Sequence, residues 1–270
     1  MTNKELKKLA EGREAEIFAW DDGTVLRLLR SPDGRRQLEW EAAAMRAAAD
    51  AGVRVPAVRE LTSVDGRPGL VMERIEGVDM LTLVGKQPWL VFSVGAQSGR
   101  IQAGLHEVRA PESLPPLRVA LRGRIERAAP LPADLARFAL EVLDGLPDGD
   151  RICHGDLHPG NIMRTKGEPV LIDWTNVTRG DPAADFARTN MMIRLGDVPQ
   201  GAPLVIRYGA IVARGLMRTS YVRAYRRARP LDTALAARWE IPVMAARMAE
   251  GIESENPKLL RLLEAARPNV

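Results

Sequence analysis

The chain has 270 residues, enough for one large domain or two small ones, and its 46% hydrophobic content suffices for a core without covalent staples. A single cysteine, Cys153, excludes an internal disulfide framework, and the charged start MTNKELKKLAEG lacks the apolar run of a secretory signal. The best apolar candidate, PLVIRYGAIVARGLM, is broken by Arg207, Arg214 and Arg218 and falls short of the roughly 20 residues a membrane span needs, so a soluble, cytoplasmic protein with no membrane partner is expected. The formal charge is +4 and the pI about 9.5, yet acids and bases interleave and aromatic residues make up only 4%. The one basic run, Arg223–Arg229, reads as a solvated helix face, and no nucleic-acid partner is expected.

The first quarter alternates β-rich runs with tight turns. EAEIFAW and TVLRLLR flank Asp21-Asp22-Gly23, a helix follows over about 35–51, and PAVRELTSV and PGLVMERI flank Asp65-Gly66-Arg67. Asp-Gly dipeptides between such runs signal hairpins, because both residues tolerate positive φ. From Gly77 onward the period becomes helical, with amphipathic stretches near 88–107, 117–127, 133–145, 183–195, 203–227 and 231–252. One β-like island interrupts them: NIMRT, the turn Lys166-Gly167-Glu168, and PVLIDW. The expected class is α+β in two lobes, residues 1–76 mostly β with one helix and residues 77–270 mainly helical, with no internal repeat.

Just before that island stands ICHGDLHPGNIM, Ile152–Met163, which packs two histidines, an acid, an amide, two glycines and a proline between apolar ends. A tight loop followed by a hairpin folds back over a short contour, so Asp156, Asn161 and Asp173 can converge on one point. Oxygen ligands from Asp and Asn suit a hard cation, and Mg²⁺ is held by one or two protein oxygens with phosphate oxygens completing its shell. The set therefore implies a phosphorylated partner. An acid outside that shell could take the proton of an incoming hydroxyl, which is the division of labour in phosphoryl transfer.

The pattern His154-x-Asp156-x-x-x-x-Asn161 followed by Ile172-Asp173-Trp174 resembles the catalytic loop and metal-binding segment of the protein-kinase-like fold. In the form HGDLHPGN…IDW it is similar to the aminoglycoside phosphotransferase and choline kinase superfamily. The resemblance implies Asp156 as catalytic base, Asn161 and Asp173 as Mg²⁺ ligands, and His158 at the phosphate where protein kinases carry a lysine. Trp174 takes the place of their phenylalanine. His154 is implied to be structural, and Asp185, within GDPAADFA, to brace the loop through its backbone.

VMERIEG resembles the hinge, which puts Met72 at the gatekeeper position and offers the backbone of Glu73 and Ile75 to a nucleobase. TVLRLLR resembles the strand that carries a phosphate-binding lysine. No lysine lies between Lys8 and Lys86, so the role falls to Arg27, whose fork can meet both a phosphate and a carboxylate. Its partner acid is Glu41 rather than Glu39, because Glu41 shares the inward stripe of Leu38, Ala42 and Met45 while Glu39 falls beside Arg35.

The activity implied is transfer of the γ-phosphoryl of ATP or GTP to a hydroxyl of an aminoglycoside-, amino-sugar- or choline-like substrate, by a monomer or homodimer. Trp174 and an acidic cluster of Glu250, Glu253 and Glu255 are the substrate-site candidates. Against a polycation stands the bulk charge: from Trp174 to the end, 15 basic residues face 9 acidic ones. Two other readings compete: a metal-dependent hydrolase with His154, Asp156 and His158 as ligands, and a nucleotide-binding pseudokinase.

Overall fold

The computed structural model describes residues 6–196 and 204–267. Its first element is a short edge strand, β1 (Lys8–Glu11), fully exposed and unmarked by apolar alternation. It pairs antiparallel with β2 (Ala15–Ala19), which pairs with β3 (Thr24–Leu29) across the Asp21-Asp22-Gly23 turn. After helix α1 (Arg35–Asp50) come β4 (Val58–Val64) and β5 (Arg67–Glu73), and the sheet order is β1-β2-β3-β5-β4. The two expected hairpins are therefore present, with the positive φ of Gly23 and Gly66 at their turns. Helix α1 buries Leu38, Ala42, Met45 and Ala48, and Glu41 lies in the same stripe.

Beyond Glu73 the chain enters a mainly helical lobe. It begins with β6 (Val78–Asp79) and α2 (Met80–Lys86), capped by Asp79, whose carboxylate accepts from Thr82 N at 2.8 Å. Then follow α3 (Val91–Leu105), α4 (Leu117–Arg127) and α5 (Ala133–Asp144). Three short strands, β7 (Arg151–Cys153), β8 (Ile162–Arg164) and β9 (Val170–Leu171), and then β10 (Thr178–Gly180), frame the HGDLHPGN loop. Helices α6 (Pro182–Leu195), α7 (Leu204–Ala228), α8 (Thr233–Arg247) and α9 (Asn256–Ala266) complete the described chain.

Some boundaries differ from the sequence expectation. The island is not the lobe's only β structure: β6 pairs with β8, and β7 pairs with β10 across 24 intervening residues. Strands of two or three residues carry too little pattern to be seen. The helix expected over 231–252 ends at Arg247 and gives way to a 3₁₀ turn and the left-handed Gly251. Among the described helices none is long and apolar enough to cross a membrane.

The lobe's core forms where α3 lies on α7. A methyl on Gly95 would stand 2.4 Å from the Met217 carbonyl oxygen, so only glycine lets the two backbones approach this closely. Phe186 packs against Tyr221 and Tyr225 with ring centroids 5.3 and 4.8 Å apart. Such pairs add about 0.5–1.5 kcal/mol each beyond burial. This rigid block carries the floor of the site.

Candidate active site

A cleft of about 2020 Å³ separates the sheet from the helices, and its walls include Arg27, Glu41, Met72, Glu73, Ile75, Asp156, His158, Asp173 and Glu250. On the sheet side, Arg27 on β3 places Nη1 3.2 Å from Glu41 Oε1, while Glu39 pairs with Arg35 at the same distance on the outside. The register decides this: Glu41 faces the sheet, Glu39 faces water. Burial pushes the Glu41 carboxyl up to about 7 against the pull of Arg27. Arg27 Nη2 donates to Thr175 Oγ1 at 2.8 Å, and Thr175 donates to Asp173 Oδ1 at 2.7 Å. A continuous polar chain thus runs from Glu41 to Asp173 across the cleft.

The hinge stretch is fixed by Glu73, whose carboxylate takes both terminal nitrogens of Arg54, at 2.9 and 2.5 Å, and Ala57 N at 3.1 Å. Glu73 N is itself spent on Ala57 O at 2.9 Å, and Arg74 N on Gly23 O at 2.8 Å. The backbone of Ile75 makes no hydrogen bond to any described residue. A nucleobase edge would find free groups at Ile75, beside the half-buried Met72.

On the helical side the HGDLHPGN loop leaves β7 and is held from below by Asp185 of α6. Asp185 Oδ1 accepts from Gly155 N at 2.7 Å, and Oδ2 accepts from His154 N at 3.2 Å, Gln102 Nε2 at 3.0 Å and His106 Nε2 at 3.0 Å. Burial acts to raise this carboxyl, but the hydrogen bond and charge of His106 override it and bring it down to about 2. Gly155 has φ +75°, and a methyl there would meet the Asn176 carbonyl oxygen at 2.4 Å, so the turn requires glycine.

His154 is fully buried. Its Nδ1 accepts from Asp156 N at 3.3 Å and its Nε2 donates to Ile172 O at 3.1 Å, and burial lowers its pKa. With both ring nitrogens engaged it has none left for a metal. Among the described residues no three His, Cys, Asp or Glu side chains are grouped to hold a metal ion. The ligand set required by the hydrolase reading is therefore not assembled.

Asp156 rises from the loop half-buried. Oδ2 accepts from Asn161 Nδ2 at 3.1 Å and lies 3.7 Å from His158 Nε2, and Oδ1 lies 3.3 Å from Arg188 Nη2. Burial alone would raise its pKa, but the nearby His158 ring and the Arg188 charge outweigh burial and hold the carboxyl well below the usual carboxylate range. His158 Nδ1 accepts from Gly160 N at 3.0 Å, which puts the neutral ring's proton on Nε2, toward Asp156. Asn161 sits behind Asp156. Its amide nitrogen is committed to Asp156, which leaves Oδ1 free, and Ile172 N donates to its backbone oxygen at 2.9 Å, tying it to the segment that carries Asp173. Asp173, exposed and at φ +61°, keeps one carboxylate oxygen unspent after Thr175. Asp173 lines the cleft and the buried Asn161 lies behind Asp156; an amide oxygen and a carboxylate oxygen are donor types that fit Mg²⁺ with phosphate and water as its other ligands.

The substrate candidates separate. Trp174 is 2% exposed, its Nε1 bonded to Leu171 O at 3.2 Å, so its ring supports His154 edge-on rather than facing the cleft broadly. Glu250 reaches the cleft, whereas Glu253 is exposed and stands apart from the cleft wall. Glu255 is buried and clamped by Arg247 at 2.8 and 3.0 Å. Arg188, which the sequence reading did not single out, links the two halves of this region: it contacts Gly155 O, Asp156 Oδ1 and, at 2.8 Å, Glu250 Oε1. It lies one helical turn after Asp185 on α6, and that spacing was the only available signal. Across the mouth, Arg13 of the β1–β2 turn donates to Glu250 O at 3.1 Å.

A sheet lobe and a helical lobe that present these groups to one cleft define a kinase-like fold. The family model described as "Phosphotransferase enzyme family" matches residues 5–231, and the chain belongs to this family, known as APH. No curated protein matches the sequence. Among solved structures, a thermostable mutant of aminoglycoside phosphotransferase APH(4)-Ia in ternary complex with ADP and hygromycin B is similar at TM-score 0.68 and 14% identity, covering 98% of this chain and 95% of that one. The macrolide 2'-phosphotransferase MphH from Brachybacterium faecium aligns at TM-score 0.59 and 21% identity over 100% and 94%. A GDP and kanamycin complex of APH(2")-IIia aligns at TM-score 0.56 and 14% identity over 98% and 93%.

Proposed function

We propose that this phosphotransferase moves the γ-phosphoryl group of ATP or GTP to a hydroxyl of a small molecule. The observation that carries the reading is that Asp156, backed by Asn161, and Asp173 belong to the same cleft as the Arg27–Glu41 pair, which reaches Asp173 through Thr175. Ile75 and the Glu73 carbonyl would hold the nucleobase, and Arg27 the phosphates, with Glu41 keeping Arg27 in place. Asn161 and Asp173 would hold Mg²⁺, which neutralises phosphate charge when bound. Asp156 would orient the acceptor hydroxyl and take its proton, and His158, beside it on the cleft wall, would turn its Nε2–H from Asp156 to the transferred group. A loose transition state asks little basicity of Asp156, so a carboxylate held firmly ionised serves the step. The relatives caught with ADP and with GDP support keeping both donors open.

Because Asn161 and Asp173 would meet the phosphates through a metal, nucleotide binding should require Mg²⁺. Calorimetric titration of ATP and of GTP, each with and without Mg²⁺ at matched ionic strength, checks this. Equal affinity in both conditions would remove the metal-bridge assignment.

A further inference from the structure

The acceptor end of the cleft carries a charge pattern that none of the roles above uses. Its two acids are already answered: Glu250 lies 2.8 Å from Arg188 Nη1 and 2.7 Å from Arg247 Nη1, and Glu255 takes the rest of the Arg247 fork. Three further arginines line the same cleft, none of them in an ion pair among the described residues. Arg124 of α4 is half-buried near Asp156 and Glu250, whose carboxylates are already paired with Arg188 and Arg247, and the partner of its Nη2 is the neutral Asn176 amide oxygen at 2.6 Å. Arg127, one turn along α4, makes no ion pair among the described residues, and Arg214 of α7 bonds only to Ala210 O in its own helix, at 3.2 Å.

Burial and the neighbouring Arg188 lower the Arg124 pKa and outweigh the charges of Glu250 and Asp156, so a further anion beside this guanidinium would be favoured. Arg214 is half-buried and Arg127 exposed, both without an ion pair among the described residues, and a wall that presents these three guanidinium groups is complementary to negative charge. It is also repulsive to an ammonium group, which would find Glu250 and Glu255 occupied and face Arg124, Arg127 and Arg214 instead. These arginines stand on α4 and α7 of the helical lobe, across from Arg27 and the hinge, so they address the acceptor rather than the nucleobase.

We propose that the acceptor is an alcohol bearing an anionic group, a carboxylate or a phosphate, seated among Arg124, Arg127 and Arg214 with its hydroxyl at Asp156. Met192, Ala213 and Met217 line the neighbouring wall and suit a non-polar body on that molecule. The inference rests on the kinase reading and narrows its substrate class.

The test uses ligand-observed saturation-transfer NMR on the full chain loaded with Mg²⁺ and AMP-PNP. The probes are matched sets: glycerol, glycerate and glycerol 3-phosphate; glucose, gluconate, glucose 6-phosphate and glucosamine; and choline and kanamycin. Binding confined to anionic members is expected, with the carboxylates and phosphates compared within each set to tell which anion is preferred. Arg127→Gln and Arg214→Gln, both at positions with no ion pair to lose, should each weaken that binding about tenfold or more while leaving AMP-PNP affinity unchanged. Preference for neutral or amino members, silence from every anionic probe at millimolar concentration, or variants that bind anions as the parent does overturns the proposal. Failure of AMP-PNP itself to bind with Mg²⁺ points instead at the kinase reading.

Discussion

Two arginine–carboxylate pairs face each other across the cleft at nearly equal distance, Arg27–Glu41 at 3.2 Å and Arg188–Asp156 at 3.3 Å, yet their acids are displaced in opposite directions. Glu41 is pushed up to about 7 and Asp156 is held below the usual range. Burial accounts for part of the difference, since 3% of the Glu41 side chain is exposed against 21% for Asp156. The donors account for the rest. Asp156 accepts hydrogen bonds from Asn161 Nδ2 at 3.1 Å and Arg188 Nη2 at 3.3 Å, with His158 Nε2 3.7 Å away, whereas Glu41 receives Gln37 Nε2 at 3.2 Å and an Arg27 nitrogen too poorly aligned to form a hydrogen bond. Proximity of a cation sets only part of a carboxylate's charge state, and burial and aligned donors set the rest. The sheet-side pair is thus a loosely held charge that a phosphate could engage, and the helix-side pair is a fixed anion.

The largest test of that contrast is Asp156→Asn, which keeps the donors' shape and removes the anion. We expect kcat to fall about 10²- to 10⁴-fold with nucleotide Kd almost unchanged, and near-normal turnover with an identified acceptor would refute the assignment of the base. Arg188→Met strips one donor from Asp156 and leaves Glu250 with Arg247 alone. Loss of a partner from a buried pair should cost about 3 to 5 kcal/mol by urea denaturation. The acid limb of the kcat–pH profile should also move upward, because Arg188 is part of what keeps Asp156 ionised. A stability loss with an unmoved limb would make Arg188 structural only.

The smaller effect belongs to Glu41. Between its ordinary 4.5 and its folded value of about 7, the folded protein holds a proton that the unfolded chain has released, so stability falls as pH rises through that window and is level outside it. The shift corresponds to about 3 kcal/mol. Glu41→Gln, an uncharged isostere, should lose this slope, and parallel urea curves for both proteins from pH 4 to 8 read the difference directly. Identical slopes would show that Glu41 stays charged in the folded state.

How much of this was legible depended on whether a contact is local. The β2–β3 and β4–β5 hairpins were, since Asp-Gly turns announce them, and the choice of Glu41 over Glu39 as the acid facing Arg27 follows from helical spacing alone. Strand β1 was not, because its four residues are all exposed and backbone pairing with β2 is what holds them. Helix α9 was missed although Pro257 at its first turn and the inward Leu259 and Leu263 are present in the sequence. The site's loop announced Asp156, Asn161 and Asp173 because short contours force them together. Arg124, Arg188 and Thr175 remained hidden, since each reaches its partner from an element distant in the chain or ordinary in composition.

One contact described above crosses the mouth of the cleft. Near the hinge, Arg54, whose side chain clamps Glu73 within the sheet lobe, takes Leu171 N of the helical lobe on its backbone oxygen at 3.0 Å. At the opposite lip the Arg13–Glu250 O hydrogen bond spans the opening, with Arg27–Thr175 crossing deeper in the cleft. In mechanical terms the first is a pivot and the second a latch. One hydrogen bond at a wet surface is worth about 1 kcal/mol, which biases a two-state equilibrium only about fivefold. The latch is therefore light, of a strength that ordinary binding contacts could outweigh. Its counterpart is a backbone carbonyl, so no substitution of the Glu250 side chain deletes the acceptor, and only a change at Arg13 removes this bond.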